Sequence, residues 1–109
     1  MKYRHLGNSG LEVSVIGLGT NNFGGRMEFK EARAVIFSAL DQGINLIDTA
    51  NIYSHGRSEE IIGRALTDRR QESLIATKFG MVWEDGPHGH GGSRKHIMDS
   101  LEGSLRRLQ

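Results

Sequence analysis

The chain has 109 residues, carries 14 Lys and Arg against 13 Asp and Glu for a net charge of +1, and contains no cysteine. That length suits one small domain. A near-neutral charge without a basic cluster gives no footing for nucleic acid or an anionic membrane, and the lack of cysteine excludes disulfides and thiolate metal sites. Met1 to His5 holds no apolar h-region and no long apolar run follows, so neither a signal peptide nor a membrane span is expected, and the default location is cytoplasmic.

In chain order, Tyr3 to Leu6 and Leu11 to Val15 flank Gly7-Asn8-Ser9-Gly10, which predicts a hairpin. Val15 to Gly19 is a short apolar run and the first candidate buried strand. It empties into the polar loop Thr20-Asn21-Asn22-Phe23-Gly24-Gly25. A helix is predicted from about Lys30, with Ala32, Val35, Ile36, Ala39 and Leu40 on one face. Gly43 stands where a helix ends in a left-handed residue.

The run Ile44 to Ile47 predicts a second buried strand, which delivers Asp48 and, five residues later, Tyr53. Ser58 is the expected N-cap of the next helix, with Glu59 and Glu60 in its first turn and Ile61, Ile62, Ala65 and Leu66 as its buried stripe. Ser73 to Thr77 predicts a third strand, which delivers Lys78. Glu84 to Gly92 is a glycine-rich loop. A last helix is expected from about Ser93, with Ile97, Leu101, Leu105 and Leu108 facing inward. Strand and helix alternate three times after the hairpin, which argues for parallel strands with right-handed crossovers.

Asp48, Tyr53 and Lys78 therefore leave the C-terminal ends of neighbouring strands. In a barrel of alternating strands and helices those ends lie side by side and hold the active site. A phenol has an ordinary pKa near 10 and needs a nearby cation to move a proton at neutral pH. A lysine ammonium at ~4 Å is worth about 1 kcal/mol in water but about 4 kcal/mol at an effective dielectric of ~20, so Lys78 suits that task in a partly desolvated mouth. Asp48 would hold Lys78 charged and in place. Such a relay suits protonation of an alkoxide as it forms. Hydride delivery to a carbonyl lies beyond any side chain and calls for a nicotinamide cofactor.

Taken singly, an Asp, Tyr or Lys after a strand is more often a turn residue or a solvated charge. The histidines His55, His88, His90 and His96 read as solvated or loop residues, and His88-Gly89-His90 is a weak metal signal without further ligands. Gly17-Leu18-Gly19 is not a dinucleotide fingerprint, because Asn22 stands where the third glycine belongs.

The combination of pieces resembles the aldo-keto reductase superfamily. Asp48-Thr49-Ala50 with Tyr53, then Gly56-Arg57-Ser58-Glu59 and Ile62-Gly63, resembles its strand-two signature. Ile75-Ala76-Thr77-Lys78 resembles the segment with the family lysine. Tyr3-Arg4-His5-Leu6-Gly7 and Leu18-Gly19-Thr20 match the opening. Ser93-Arg94-Lys95-His96-Ile97, Ser100-Leu101 and Leu105 to Gln109 are similar to the branch that includes the potassium-channel β subunits and related bacterial reductases.

The resemblance implies an α/β fold, a (β/α)8 TIM barrel closed at the bottom by the hairpin. It implies reduction of aldehydes or ketones with NADPH. Tyr53 would be the proton donor, Lys78 its tuning neighbour and Asp48 the partner of Lys78. Thr20 and Asn21 would contact the cofactor near the nicotinamide, with Asp48 close to the ribose, although Asn21 departs from the tryptophan often found in the channel-subunit branch. No metal is implied.

A complete barrel takes about 250 residues. Residues 1–109 are thus expected to form a partial barrel that lacks roughly the last five βα units, with a fourth-strand histidine among the missing parts. Three parallel strands cannot close, so their edges and inward apolar residues are expected to favour self-association. The alternative function is a nucleotide-binding regulatory or self-assembling partial-barrel module without turnover.

Overall fold

In the computed structural model, which describes residues 1–109, a two-stranded hairpin leads into a three-stranded sheet and three helices. The hairpin pairs β1 (Tyr3–His5) with β2 (Glu12–Ser14), antiparallel. The sheet has the order β3 (Gly17–Gly19), β4 (Leu46–Asp48), β5 (Leu74–Ala76), all parallel. Helix α1 (Phe29–Asp41) joins β3 to β4, α2 (Arg57–Ala65) joins β4 to β5, and α3 (Arg94–Leu108) follows β5. The expected hairpin and the threefold alternation of strand and helix are both present. No helix is long and apolar enough to cross a membrane.

Helix α1 forms where the period-3.6 apolar stripe runs, and it buries Ala32, Ile36, Ala39 and Leu40. It stops at Gly43, whose φ of 84° lets its N–H reach the carbonyl of Leu40 while the N–H of Ile44 reaches that of Ala39. Those two bonds satisfy carbonyls that the helix end would otherwise leave open.

The sheet register explains where the core lies. Leu18, Ile47 and Ile75 are cross-strand partners in the middle row. They point toward the helices, where Ile47 joins Ile36, Ile62 and Leu66, all essentially fully buried. Each such side chain contributes about 1.5 to 3 kcal/mol by leaving water. The two flanking rows are Gly17, Leu46, Leu74 and Gly19, Asp48, Ala76, and alternation puts them on the opposite face.

That inner face is less apolar than expected, since only two of its six residues, Leu46 and Leu74, carry large hydrocarbon side chains. The exposed apolar surface lies elsewhere, at Val15 and Ile16, at Met81 and Val82, and along α3.

Of the four residues that the apolar spacing of helix α3 predicts to face inward, only Leu108 is buried, and the docked face is otherwise a different one. His96, Ser100, Gly103, Ser104 and Leu108 are buried, while Ile97, Leu101 and Leu105 are 38%, 49% and 60% exposed. The reason is close docking on α2. A Cβ on Gly63 would stand 2.4 Å from the carbonyl oxygen of Arg107 and 2.8 Å from the backbone of Leu108. Only small residues allow that approach, so α3 presents Ser100, Gly103 and Ser104 and leaves Ile97, Leu101 and Leu105 outside.

The hairpin is clipped to the sheet by Asn45, the one polar residue in an apolar run. Its side-chain oxygen accepts from the N–H of Ser14 at 2.8 Å, and its amide nitrogen donates to the carbonyl of Glu12 at 3.0 Å. Tyr3 adds a hydrogen bond from its hydroxyl to the carbonyl of Gly43 at 2.9 Å.

Candidate functional site

The ladder between β4 and β5 continues past both strands. Thr49 N–H donates to the carbonyl of Ala76 at 2.8 Å and Asn51 N–H to that of Lys78 at 3.0 Å. This brings Asp48 and Lys78 together. The Lys78 ammonium donates to both carboxylate oxygens of Asp48, at 2.8 and 2.9 Å, and to the carbonyl of Thr49 at 2.5 Å. Both side chains are about half exposed, and such a pair adds only ~0–1 kcal/mol to stability. Its effect is to fix the position of the charge.

Tyr53 lies in the turn between β4 and α2, with its N–H on the carbonyl of Ala50. Lys78 Nζ sits 5.1 Å from the centre of its ring. Contact between the two is therefore cation over aromatic face, and Tyr53 makes no side-chain hydrogen bond to Lys78. Tyr53, Lys78, Ile52, Phe79 and Met81 line a largely apolar cavity of about 180 Å³. The three residues singled out by their position after strands thus meet at one rim.

The Tyr53 turn is held in an uncommon conformation. Ser54 and His55 have φ of 49° and 52°, followed by Gly56 at 90°. A left-handed conformation costs a residue with a side chain roughly 1–2 kcal/mol. Packing offsets this. The His55 ring stacks on Trp83 with centroids 4.0 Å apart, and Arg107 lies over the same indole at 4.8 Å. His55 is an exposed loop residue, as expected, with its ring stacked on Trp83.

Thr20 and Asn21 follow β3 on the same rim. Asn21 is exposed. Thr20 is 1% exposed, with its N–H and hydroxyl both donating to the carbonyl of Asp48, at 3.1 and 3.0 Å. It supports the site from beneath.

Ser58 does not cap α2. Gly56 takes the N-cap position without a side-chain bond. The Ser58 hydroxyl lies instead within 3.0 to 3.1 Å of Thr49 Oγ1, Thr20 Oγ1 and the Thr20 carbonyl, fully buried. Position two of the helix points this side chain down at the strand ends, where it ties Thr20 to Thr49.

Two further residues escape sequence reasoning. Glu59 is 0% exposed and accepts from Thr77 Oγ1 at 2.6 Å and Arg107 Nε at 2.7 Å. His96 is not solvated. It is 3% exposed, with Nε2 3.4 Å from Ser100 Oγ and its ring beside Phe79. It follows from the unexpected face of α3. A second cleft of about 150 Å³ lies there, lined by Asn51, Trp83, His88, His96 and Arg106 among others.

Residues 15–109 match the sequence profile of the Aldo/keto reductase family. The chain belongs to that family.

It is 43% identical over 99% of its length to a protein described as "Probable voltage-gated potassium channel subunit beta" from Oryza sativa subsp. japonica, of which it covers 34%. It is 40% identical over its whole length to "Uncharacterized oxidoreductase YqkF" from Bacillus subtilis, of which it covers 36%. This aldo/keto reductase chain therefore spans about a third of the length of those relatives. Its fold superposes on the holo form of the aldo-keto reductase AKR11C1 from Bacillus halodurans with a TM-score of 0.88 and 40% identity, covering 100% of this chain and 37% of that one. The structure of PA4992 from Pseudomonas aeruginosa gives 0.85 and 43%, covering 97% and 42%. The hairpin and three βα units correspond to part of a TIM barrel.

Proposed function

We propose that this chain carries the proton-donor side of an NADPH-dependent reductase that converts aldehydes or ketones to alcohols. Oxidoreductase chemistry accords with the family and its relatives. The observation that carries the finer reading is the convergence of Tyr53, Lys78 and Asp48 at the C-terminal rim of parallel strands.

Tyr53 gives its hydroxyl proton to the carbonyl oxygen as the carbon is reduced. The Lys78 ammonium over the ring offsets the negative charge left on the phenolate. Asp48 and the Thr49 carbonyl keep the ammonium from swinging into solvent. The donor set fits the nicotinamide-ribose end of NADPH. Asp48 offers carboxylate acceptors for hydroxyls, Asn21 an exposed amide, and Gly19 beside Asp48 leaves open space where a Cβ would meet nothing within 4 Å. Bound there, the reduced nicotinamide supplies the hydride. Thr20, with its polar groups committed to Asp48 and Ser58, serves by holding the floor, and contact passes to its neighbour Asn21.

NADPH oxidation followed at 340 nm with a panel of aldehydes tests this. It is run on the 109-residue chain and on a chimera completed with the remaining βα units of a relative. Tyr53→Phe is expected to cut turnover by about 10²- to 10⁴-fold. Wild-type-like rates would remove the proposed donor. Tight NADPH binding without turnover would support a regulatory module instead, the reading favoured by the channel-subunit relative.

The exposed stripe Ile97, Leu101, Leu105 and the free edges of β3 and β5 support a second proposal, that the chain associates with copies of itself. Light scattering tests it, and a monomer at high concentration would contradict it.

A further inference from the structure

We infer that Glu59 is a positioning residue for the group formed by Asp48, Lys78 and Tyr53, an inference that rests on reading that group as the proton-delivery site. Its carboxylate is fully buried, and taking a charge out of water is expensive unless it is well bonded. Both oxygens are engaged, and each bond leads to the rim. Oε1 holds the hydroxyl of Thr77, the residue that immediately precedes Lys78. Oε2 holds Arg107, whose guanidinium lies over Trp83, which stacks on His55, two residues beyond Tyr53.

The neighbouring Ser58 completes the arrangement through Thr20 and Thr49. Two consecutive residues in the first turn of α2 thus grip the ends of all three parallel strands. Of these grips, the Glu59–Thr77 bond is the one that bears directly on Lys78. Thr77 fixes the direction in which the backbone leaves β5, and so the line along which the lysine side chain runs back to Asp48.

Lysine-selective proton–nitrogen NMR, which detects ammonium protons held in ion pairs, reads this without requiring turnover. The chain has four lysines, Lys2, Lys30, Lys78 and Lys95, and Lys78→Met identifies the signal of interest. Glu59→Ala and Thr77→Val are expected to raise exchange of the Lys78 ammonium with water about tenfold, the loss of roughly one hydrogen bond. Glu59→Gln, whose amide oxygen still accepts from Thr77, should stay within about twofold of wild type. The Lys95 ammonium, paired with Asp99 on α3, should not change.

Ile36→Val, which weakens the core without touching the rim, should leave Lys78 as it was. If Glu59→Ala fails to fold, Thr77→Val carries the test alone, because valine keeps the shape of threonine. An unchanged Lys78 signal in folded Thr77→Val overturns the inference. A released Lys78 signal together with wild-type turnover by the Tyr53→Phe chimera would keep the Glu59 link and remove the proton-donor reading.

Discussion

Replacing Gly63 with alanine sets two effects of opposite sign against each other. Gly63 is helical, so by propensity alone the change should stabilise α2 by about 0.5–1 kcal/mol. The new methyl, however, would lie 2.4 Å from the Arg107 oxygen and 2.8 Å from the Leu108 carbonyl, against 3.4–4 Å for ordinary contact. These obstacles are backbone atoms and cannot rotate away. The last turn of α3 must retreat by about 1 Å, and such overpacking costs roughly 1–3 kcal/mol.

The same retreat stretches the 2.7 Å bond between Arg107 and the buried Glu59, and a buried pair deprived of its partner loses about 3–5 kcal/mol. Even half of that loss outweighs the helical gain. A net destabilisation of about 2–4 kcal/mol is expected, seen in urea unfolding by circular dichroism and as a melting point lower by roughly 10 °C or more. In an Arg107→Met background the penalty should shrink, because the ion pair is already gone. A Gly63→Ala protein that melts at or above the wild-type temperature would refute the close-docking account of α3.

Ile47→Ala should cost about 2–5 kcal/mol in chemical unfolding, since Ile47 is 1% exposed at the centre of the core. Hydrogen bonds from Arg69 hold the carboxyl of Glu72 below its usual range, and a bond from Lys95 does the same for Asp99. Their stabilising effect is present above the unfolded carboxylate pKa values near 4 and is lost as pH falls through the lower folded values. Glu72→Gln with Asp99→Asn should therefore flatten the fall in melting temperature in acid. Lys95 is raised by Asp99, so its share is present below its unfolded pKa and lost as pH rises through the folded one. Leu101→Lys and Leu105→Lys should move the mass measured by light scattering toward monomer if the exposed α3 stripe joins copies.

The sequence made some of this architecture legible and hid the rest for physical reasons. The stripes of α1 and α2 predicted their buried faces because hydrophobic burial decides orientation when one apolar face exists. In α3 two faces compete, one of leucines and one of small residues. Docking against Gly63 selects the small one. Asp48, Tyr53 and Lys78 could be picked out by strand ends, since topology alone brings such residues to one rim.

Glu59 and Ser58 looked like first-turn residues on a helix start, where acids and serines are common for local reasons. Their burial depends on contacts 9 to 48 residues away along the chain, which no local pattern encodes. His96 was hidden by the same choice of face that hid the orientation of α3.

The geometry of Lys78 also constrains how its charge can act. An ammonium has three donors, and here Asp48 and Thr49 provide three acceptors. To bond the Tyr53 hydroxyl directly, Lys78 must release one of them. The carbonyl of Thr49 is fixed by the ladder that ties Thr49 N–H to Ala76, whereas Asp48 is half exposed and keeps a second oxygen on the ammonium after giving up the first. An Asp48 oxygen is therefore the acceptor that yields at least cost. It follows that Asp48→Asn, which keeps the shape but not the charge, should loosen the ammonium less in position than in electrostatics. Lysine-selective NMR should still find the Lys78 ammonium on the Thr49 carbonyl, while turnover of the completed barrel falls. Loss of the signal with turnover intact would show that this carboxylate only ties down the lysine.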